Sequence, residues 1–398
     1  LYGANGSTTA GTVRSEGTPE GVKFEGQCIW RYHPGSRRFE IFAEGGGNTF
    51  SLEIDSVGRV FSGTNSGNTR GFYYPQGAYF SKNWGKHGPL TNPYAFGYLN
   101  QMPCEGDSRR FAQAFLIYEG GLFSTEFHGT IVAPNSLQNL VWNSRLVRSG
   151  STYRTEDLGN LVETDDRWFR PVYGGVGPDG AVYLADWYDT RLSHVSPIDD
   201  WHKNSGRIYR IRPAGSDPSY EEGDLSKLAS DKLIGKFDHP NKWVRHRAVL
   251  ELGWRKDGDV LNELVSRVDQ SASLESLWVV GMMGELSDDL AARWIRHQDP
   301  HIRRWTVRLL GDGRRSHPAM IEIATDESDL QVRCQLAATA KRIDARTGLA
   351  IIERLARRDK DLDDPYLPFM YWWAVEAHAD QWSAIEELLS GQSVWEHE

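Results

Sequence analysis

The chain has 398 residues, of which 39% are hydrophobic and 25% are charged, and this composition is that of a globular protein rather than a disordered one. Its length predicts two or three domains. Its net charge of −9 argues against a dominant nucleic-acid surface, because phosphate binding requires a basic face. No run approaches 18 apolar residues, so we expect no transmembrane span in this chain.

The distribution of residue types changes near the middle of the chain. Glycine is concentrated before residue 190, whereas ten of the fifteen tryptophans follow residue 200. The chain begins with a strand-like Leu1-Tyr2-Gly3 and without a methionine or a signal peptide, so we expect a fragment of a longer polypeptide. The cysteines lack the spacing of a zinc or haem site and allow one disulfide; they are Cys28, Cys104 and Cys334.

The first 213 residues predict a series of short strands separated by turn residues at intervals of about 8–12 residues. No segment of this region shows convincing helical periodicity. The pattern is typical of an all-β sandwich, barrel or propeller. The predicted strands are 28–32, 39–42, 50–54, 59–62, 72–74, 115–118, 130–133, 140–147, 172–176, 181–185 and 207–212.

Two similar hairpins favour a propeller among these folds. Residues 54–61 read IDSVGRVF and residues 177–183 read GPDGAVY, so each places an Asp/Gly turn before a strand with valine and an aromatic residue. The strands suffice for roughly three blades of four strands. We therefore expect a partial, truncated β-propeller over residues 1–213.

Charged residues that flank the second hairpin are the first candidates for a functional site, because strand ends present side chains to ligands. The residues before the hairpin are Asp165, Asp166, Arg167 and Arg170, and those after it are Asp186, Trp187, Tyr188 and Asp189. The alternative is that Arg170 and the aspartates only pair with one another at a sheet edge.

Three other loops carry further candidates. Asn48 follows three glycines, Arg70 ends a polar stretch, and His87 follows a lysine in a long loop. An isolated loop histidine is more often a residue with satisfied hydrogen bonds than a catalytic base. If these residues meet Arg170 and Asp186 on one face, they form a donor-rich site with a base.

Residues 214–228 are predicted to be a linker, and helical periodicity dominates residues 229–392. Arginines recur there at Arg245, Arg303 and Arg333, with Glu275 at the equivalent place between the first two. Such a period predicts stacked helix pairs.

The pattern D-P-x-x-x-V-R in this region resembles HEAT repeats, in which the aspartate caps the second helix and the arginine reaches neighbouring turns. We expect these HEAT-like repeats to form a scaffold or a protein-binding surface rather than a catalytic unit. The tryptophans are predicted to pack in the core or between repeats; they are Trp243, Trp254, Trp278, Trp294 and Trp305.

Five long motifs together resemble one family. They are IWRYHPGSRRFEIFAEGGGNTF, GRVFSGTNSGNTRGF, KHGPLTNPYAFGY, DDRWFRPV and GPDGAVYLADWYD. They are similar to motifs of the membrane-bound dehydrogenase family of planctomycetes and verrucomicrobia. In that family an exported β-propeller, similar to soluble quinoprotein glucose dehydrogenase, precedes HEAT-like repeats and a c-type haem domain. The haem-binding motif CxxCH does not occur in this chain.

The resemblance implies an exported, periplasmic enzyme that oxidises a sugar or an alcohol with pyrroloquinoline quinone and Ca²⁺. His87 or Asp186 would then be the catalytic base, and Asp186 and Asp189 would hold Ca²⁺. Polar and aromatic loop residues would bind the cofactor, namely Asn48, Arg70, Arg170 and Trp187. The c-type haem domain of the full-length protein would be the redox partner, and a protein partner would bind the HEAT-like repeats.

The competing hypothesis is a non-catalytic β-propeller that binds carbohydrate or protein, with the HEAT-like repeats as its interaction scaffold. Fold does not determine function, so both hypotheses are compatible with the same architecture. They differ in whether pyrroloquinoline quinone and Ca²⁺ produce turnover of a sugar.

Overall fold

Strands fill the first half of the chain and helices the second half, in a computed structural model that describes residues 1–82, 88–92, 95–190 and 202–390. The predicted order of β structure before α structure is therefore confirmed. In the described residues the strands are β1 Tyr2–Ala4, β2 Ala10–Ser15, β3 Thr18–Glu25, β4 Cys28–His33, β5 Arg38–Gly46, β6 Glu53–Ile54, β7 Val60–Ser62, β8 Thr69–Tyr74, β9 Tyr79–Lys82, β10 Met102–Glu105, β11 Leu116–Ile117, β12 Ile131–Asn135, β13 Leu140–Ser149, β14 Thr152–Glu163, β15 Pro171–Val176, β16 Val182–Asp186 and β17 Arg207–Ile211. The helices are α1 Ser230–Ile234, α2 Lys242–Arg255, α3 Leu261–Ser271, α4 Leu274–Met283, α5 Asp288–Trp294, α6 Pro300–Asp312, α7 Pro318–Asp326, α8 Leu330–Ala340, α9 Ala345–Ala356, α10 Leu367–Glu376 and α11 Trp382–Ser390.

Hydrogen bonds join the described strands into four sheets. Their strand orders are β1-β4-β5-β9, β11-β12-β13-β14-β10-β8-β7-β6, β15-β16-β17 and β2-β3. Neighbouring strands are antiparallel except for the pairs β5–β9 and β10–β14. The edge strands β6 and β11 of the eight-stranded sheet contact each other, so this sheet is nearly closed and barrel-like.

The sequence predicts the hydrophobic strands well and misses the polar ones. Each predicted strand overlaps an observed one, although only residues 53–54 of the predicted strand 50–54 are paired. The strands β2, β3, β9, β10 and β14 have no counterpart in the prediction. The longest of these, β14, has few buried residues, and its position is set by pairing with β13 from Leu140↔Glu163 to Ser149↔Thr152.

Polar side chains cap the three helices that follow the repeated sequence pattern. Asn241, Asp299 and Asp329 each accept hydrogen bonds from backbone N–H groups in the first turn of α2, α6 and α8. A cap of this kind contributes about 1 kcal/mol. In the first repeat the cap is Asn241 rather than the aspartate of the pattern, Asp238. None of the described helices combines the length and the apolar composition that crossing a bilayer requires.

The three repeated arginines make the same set of contacts. Each donates a hydrogen bond to the backbone carbonyl six residues earlier and pairs with an acidic residue of a later helical unit. The pairs are Arg245–Glu275, Arg303–Glu327 and Arg333–Asp361. The repeated pattern in the sequence is thus a repeated pattern of contacts, and α2, α4, α6, α8 and α10 pack side by side in that order.

The β part and the helices share one hydrophobic core. Tyr73 of β8 stacks on Tyr366, with the ring centroids 6.3 Å apart, and the indole of Trp373 in α10 donates to the Ala95 carbonyl at 2.7 Å. Buried residues from both halves of the chain form a single contiguous cluster. The side of the helical array that faces the strands is therefore covered by the same chain.

A charged cluster crosses this shared interface around Asp312, the last residue of α6. Arg31 of β4 donates to both carboxylate oxygens of Asp312, at 2.7 and 2.5 Å, and Gln76 donates to Oδ1 at 2.9 Å. Arg308 and Arg342 lie within 4 Å of the same carboxylate. We refer to these five residues as the Asp312 cluster.

The turn between β6 and β7 packs directly against α6. The Val57 carbonyl accepts hydrogen bonds from the indole of Trp305, at 2.8 Å, and from the Arg304 guanidinium. Gly58 has a φ of +73°, and a Cβ atom at this position would lie 2.2 Å from Cζ2 of Trp305. The turn approaches the helix so closely that only glycine fits.

The sequence leaves the pairing of the cysteines open, and the predicted packing of the tryptophans is wrong for Trp254. The three cysteines are free, so the disulfide that the sequence allows is not formed. Among the tryptophans, Trp294 is fully buried and Trp278 packs on Trp305, but Trp254 on α2 is 60% exposed. Trp254 faces solvent rather than a neighbouring repeat.

Candidate functional site

Polar loops at one end of the strands form a continuous belt. Alternate connections between antiparallel strands lie at the same end of a sheet, and these loops are such connections. They are residues 47–52 before β6, 63–68 between β7 and β8, 106–115 before β11, 136–139 between β12 and β13, 164–170 before β15, and 187–190 with 202–206 between β16 and β17. We refer to them as the polar loop belt.

Hydrogen bonds link neighbouring loops of the belt, directly or through an adjoining strand end, and one bond lies within the last connection. The bonds run from Gln113 Nε2 to Asn48 O (3.3 Å), from Asn68 N to Ser108 O (3.0 Å), from Asn135 Nδ2 to Arg110 O (3.1 Å), from Asn139 Nδ2 to Phe169 O (2.5 Å), from Trp187 N to Arg170 O (3.0 Å) and from His202 N to Asp189 Oδ2 (2.9 Å). All the described candidate residues lie in this belt or directly beside it. The belt therefore gathers at one end of the sheets the loops that the sequence singles out.

Arg70 points into the protein rather than toward a ligand. Its side chain is fully buried, and its Nη2 donates to Asp157 Oδ2 at 2.6 Å and to the Asp107 carbonyl at 2.9 Å. Its guanidinium carbon lies 3.9 Å from the ring centroid of Trp142. The ion pair and the stacked ring leave no accessible donor, so Arg70 ties the loop 106–115 to β14.

Arg170 and Asp186 lie together, mainly through backbone groups. Asp186 Oδ1 accepts from the Arg170 backbone N–H at 2.7 Å and from the Tyr188 N–H at 2.8 Å. The Arg170 guanidinium donates to the carbonyls of Asp189 (3.0 Å) and Ser136 (3.2 Å). Burial lowers the pKa of Arg170, and the nearby charges of Asp186 and Asp189 oppose that shift.

The second carboxylate oxygen of Asp186 differs from the first in its hydrogen bonding. Asp186 Oδ2 is buried and makes no hydrogen bond of good geometry within the described ranges, although the Tyr209 hydroxyl lies close to this carboxylate. An unpaired buried acceptor costs free energy unless a proton or a donor reaches it. Among the candidate residues that the structure describes, only Asp186 therefore has a buried acceptor oxygen that is not hydrogen-bonded.

The remaining candidate residues are Asn48, Trp187 and His87. The backbone of Asn48 is held by the Asn65 side chain at 3.2 Å and by Gln113. Trp187 is 41% exposed at the end of the belt. His87 lies outside the described residues.

Asp186 and Asp189 do not by themselves complete a metal site. Asp186 Oδ1 already accepts two N–H groups, and Asp189 Oδ2 accepts the His202 N–H. Across residues 1–82, 88–92, 95–190 and 202–390, no group of three or more His, Cys, Asp or Glu side chains is placed to hold a metal ion. Calcium normally takes six to eight oxygen ligands, so these two carboxylates are too few.

An aromatic patch lies at the same end of the belt. We use this name for Trp168, Tyr188 and Tyr209, together with the exposed Trp187 that precedes Tyr188 in the chain. The Trp168 ring lies 5.6 Å from that of Tyr188, measured between centroids, and Tyr209 is 36% exposed. The Arg207 guanidinium carbon lies 3.3 Å from the centroid of the Tyr188 ring. The patch thus combines aromatic faces with a cation.

Tyr188 is held in a backbone conformation that L-residues rarely adopt. Its φ is +52°, in the left-handed region that costs a non-glycine residue about 1–2 kcal/mol. Two hydrogen bonds secure it: its N–H donates to Asp186 Oδ1 at 2.8 Å, and its carbonyl accepts from Ser205 Oγ at 3.2 Å. Strain of this kind is concentrated at functional sites.

Of this patch, Trp187 and Tyr188 are predicted from the sequence as residues that follow the second hairpin. Trp168 and Tyr188 are twenty residues apart and meet because β15 pairs with β16, with Pro171 opposite Asp186. The Pro-Asp-Gly turn at residues 177–180 could have set this register and placed the two flanks side by side. Arg207 and Tyr209 come from the next strand, β17, and the sequence carries no comparable signal for them.

Comparisons with known proteins add one finding. A family model described as a domain of unknown function (DUF7133) matches residues 1–215, which is more than half of the chain and includes the polar loop belt and the aromatic patch. No curated protein and no solved structure matches the chain.

Proposed function

We propose that this chain, which belongs to the DUF7133 family, binds a carbohydrate or a similar polyhydroxylated ligand at the aromatic patch. The observation that carries the proposal is the strained Tyr188, fixed by Asp186 and Ser205 beside the exposed ring of Trp187. Backbone strain persists only where the surrounding structure holds it, and it is concentrated at active sites and ligand-binding sites.

The chemistry of the patch suits a sugar. Aromatic faces pack against the C–H face of a pyranose ring, and Trp and Tyr add a polar group that can reach a hydroxyl. Exposed Asp165, Asp166 and Arg167 lie beside Trp168 and supply acceptors and donors for hydroxyl groups. Ligand sites are usually lined by aromatic and apolar side chains, with a small number of polar groups that orient the ligand.

The sheet arrangement supports the interpretation of the β part as a partial β-propeller. The segments β6-β7-β8-β10 and β11-β12-β13-β14 are two runs of four neighbouring strands that each begin with a two-residue strand. The capped helices and the repeated Arg–acid pairs support HEAT-like repeats in the helical part. A ligand site on the loop belt would then lie on the loop face of the propeller.

The second candidate function is oxidation of a sugar or an alcohol, as the resemblance to the exported membrane-bound dehydrogenase family implies. The observation that favours it is the unpaired buried Asp186 Oδ2, which could accept a hydroxyl proton. A c-type haem domain of the full-length protein would be its electron acceptor.

The described residues do not fit the quinone and calcium that this candidate requires. Arg70 is buried against Asp157 and Trp142 and cannot reach a cofactor. Asp186 and Asp189 offer too few free oxygens for Ca²⁺. Binding without redox chemistry is therefore the better-supported function.

Trp187→Ala tests the first proposal. A glycan array identifies the best ligand of the unaltered chain, and titration calorimetry then measures its affinity. We expect the substitution to weaken binding about tenfold or more, because an exposed aromatic anchor is lost. Trp254→Ala, which removes a tryptophan that is 60% exposed on α2, is the matched control and should leave the affinity unchanged.

The same preparation separates the two candidates. The chain is incubated with pyrroloquinoline quinone and Ca²⁺ and assayed with a dye acceptor over the bound sugars. Binding that is lost in Trp187→Ala without any turnover supports the first candidate. Turnover that disappears in Asp186→Asn would favour the second, and no glycan binding at all would overturn the first.

A further inference from the structure

A cavity of about 370 Å³ lies where the β part meets the helices, away from the polar loop belt. Its walls come from β5 and from residues 77–79 on one side and from the ends of α6 and α8 on the other. The residues that matter for its chemistry are Glu44, Tyr79, Arg314, Lys341 and Arg342. Both halves of the chain are needed to form it.

Lys341 contributes a cation without a counter-ion. Its Nζ donates to the Gly77 carbonyl and to the Tyr79 hydroxyl, each at 3.0 Å, and both acceptors are neutral. Within the described ranges, no carboxylate oxygen lies within 4.0 Å of this ammonium group. Lys341 is half-buried, and desolvation together with the charge of Arg342 lowers its pKa to about 8, while Glu376 and Glu44 offset only part of this shift.

Arg314 contributes a second cation at the mouth of the cavity. It follows α6 in a left-handed conformation, with a φ of +53°, and its side chain is exposed. Among the described residues it has no hydrogen-bond or ion-pair partner. The neighbouring Arg342 is different, because Glu40 already binds it at 2.7 Å.

The one carboxylate in the wall is already satisfied. Glu44 is buried and accepts three hydrogen bonds from the backbone and hydroxyl of Thr91, at 2.5 to 3.1 Å. Lys82 lies 3.4 Å from Glu44 Oε1 and balances its charge. Glu44 therefore does not cancel the charges of Lys341 and Arg314.

We propose that this cavity binds a small organic anion whose carboxylate or phosphate group lies between Lys341 and Arg314, beside the Tyr79 hydroxyl. A cation that is removed from water without a counter-ion is costly, and an anionic ligand would supply the missing charge. A guanidinium donates two parallel hydrogen bonds to either group, and the volume suits a molecule of metabolite size. The site is independent of the aromatic patch.

The test measures the melting temperature of the unaltered chain with sodium phosphate, glucose 6-phosphate and gluconate, each against sodium chloride of equal ionic strength. Ligands that bind only the folded state raise the melting temperature in proportion to the logarithm of their concentration. The phosphate and gluconate arms distinguish the two anionic groups. A rise with either class beyond the chloride control is the expected result.

Two variants locate the effect. Arg314→Gln and Lys341→Met should each weaken binding of the active anion at least tenfold. Lys256→Gln is the matched control, since Lys256 is also an exposed cation in a left-handed conformation after a helix, with a φ of +52°. Because Arg314 is exposed, its variant is expected to fold normally. The proposal is overturned if no anion gives a shift, or if Arg314→Gln retains the full shift.

Discussion

Asparagine in place of Asp312 is expected to lower the free energy of unfolding by about 2–4 kcal/mol. The substitution keeps the shape of the side chain but removes the negative charge that Arg31 and Arg308 face at the interface between strands and helices. Both guanidinium groups are largely buried, with 13% and 6% of the side chain exposed, so solvent replaces the lost charge poorly, although Arg31 keeps its ion pair with Glu40. Urea unfolding followed by circular dichroism and tryptophan fluorescence measures the change.

Glu353→Gln is the control for this prediction. Glu353 pairs with Arg357 on the exposed side of α9, with more than a third of each side chain accessible. An exposed pair of this kind contributes about 0–1 kcal/mol. A loss in Asp312→Asn no larger than the loss in Glu353→Gln would show that the Asp312 cluster does not hold the two halves together.

The pH dependence of stability gives a second measurement on the same variant. Burial disfavours the charged form of Asp312, but the hydrogen bonds and charge of Arg31, with the charges of Arg308 and Arg342, outweigh it and lower the pKa to about 2. A carboxylate whose pKa is lowered by folding stabilises the fold above its unfolded pKa, and this contribution is lost as the pH falls toward the folded value. Between about pH 4 and pH 2, Asp312→Asn should therefore lose less stability than the unaltered chain.

The second large effect is expected from Gly58→Ala, which should cost about 3 kcal/mol or more. An added Cβ atom would lie 2.2 Å from the Trp305 ring, so the turn or α6 must move. The left-handed φ of +73° adds a further cost of about 1–2 kcal/mol. Displacement of the turn would also lengthen the hydrogen bond from Trp305 to the Val57 carbonyl.

Gly129→Ala separates the two contributions. Gly129 has nearly the same φ, +76°, but no heavy atom within 4 Å of the position of a Cβ atom. Alanine there should cost about 1–2 kcal/mol, from the backbone alone. Equal losses in the two variants would mean that the contact between the turn and α6 contributes nothing to stability.

The helical half could be predicted in more detail than the β half, because its contacts join residues at similar separations along the chain, from 24 to 30 residues. Arg303 finds Glu327 only 24 residues away, and the next unit repeats the arrangement with Arg333 and Asp361. A pattern read along the chain therefore carries information about the partner. By contrast, the position of β14 is set by pairing with β13, and β14 has too few hydrophobic residues to be predicted as a strand from the sequence.

The candidate site could be predicted only in part for the same reason, because its contacts join residues that are distant in the sequence. The loops that carry Arg70 and Arg170 could be found from their polar residues and turns, but the direction of each side chain could not. Arg70 pairs with Asp157, which is 87 residues away in a strand that the sequence does not predict. Tyr188 could be placed in the flank of the second hairpin from the sequence, but its left-handed backbone conformation depends on Asp186 and Ser205 in the folded chain.

The shared core also has a consequence for synthesis of the protein on the ribosome. The strands emerge first, and the roughly 180 residues after residue 215 need on the order of 10–40 s at the usual elongation rates. Until α8 and the residue before α10 arrive, Tyr73 lacks its contact with Tyr366 and Tyr153 lacks its hydrogen bond with Gln331. The nascent β part is thus an expected client of chaperones, and chains that stop before the helices are expected to aggregate.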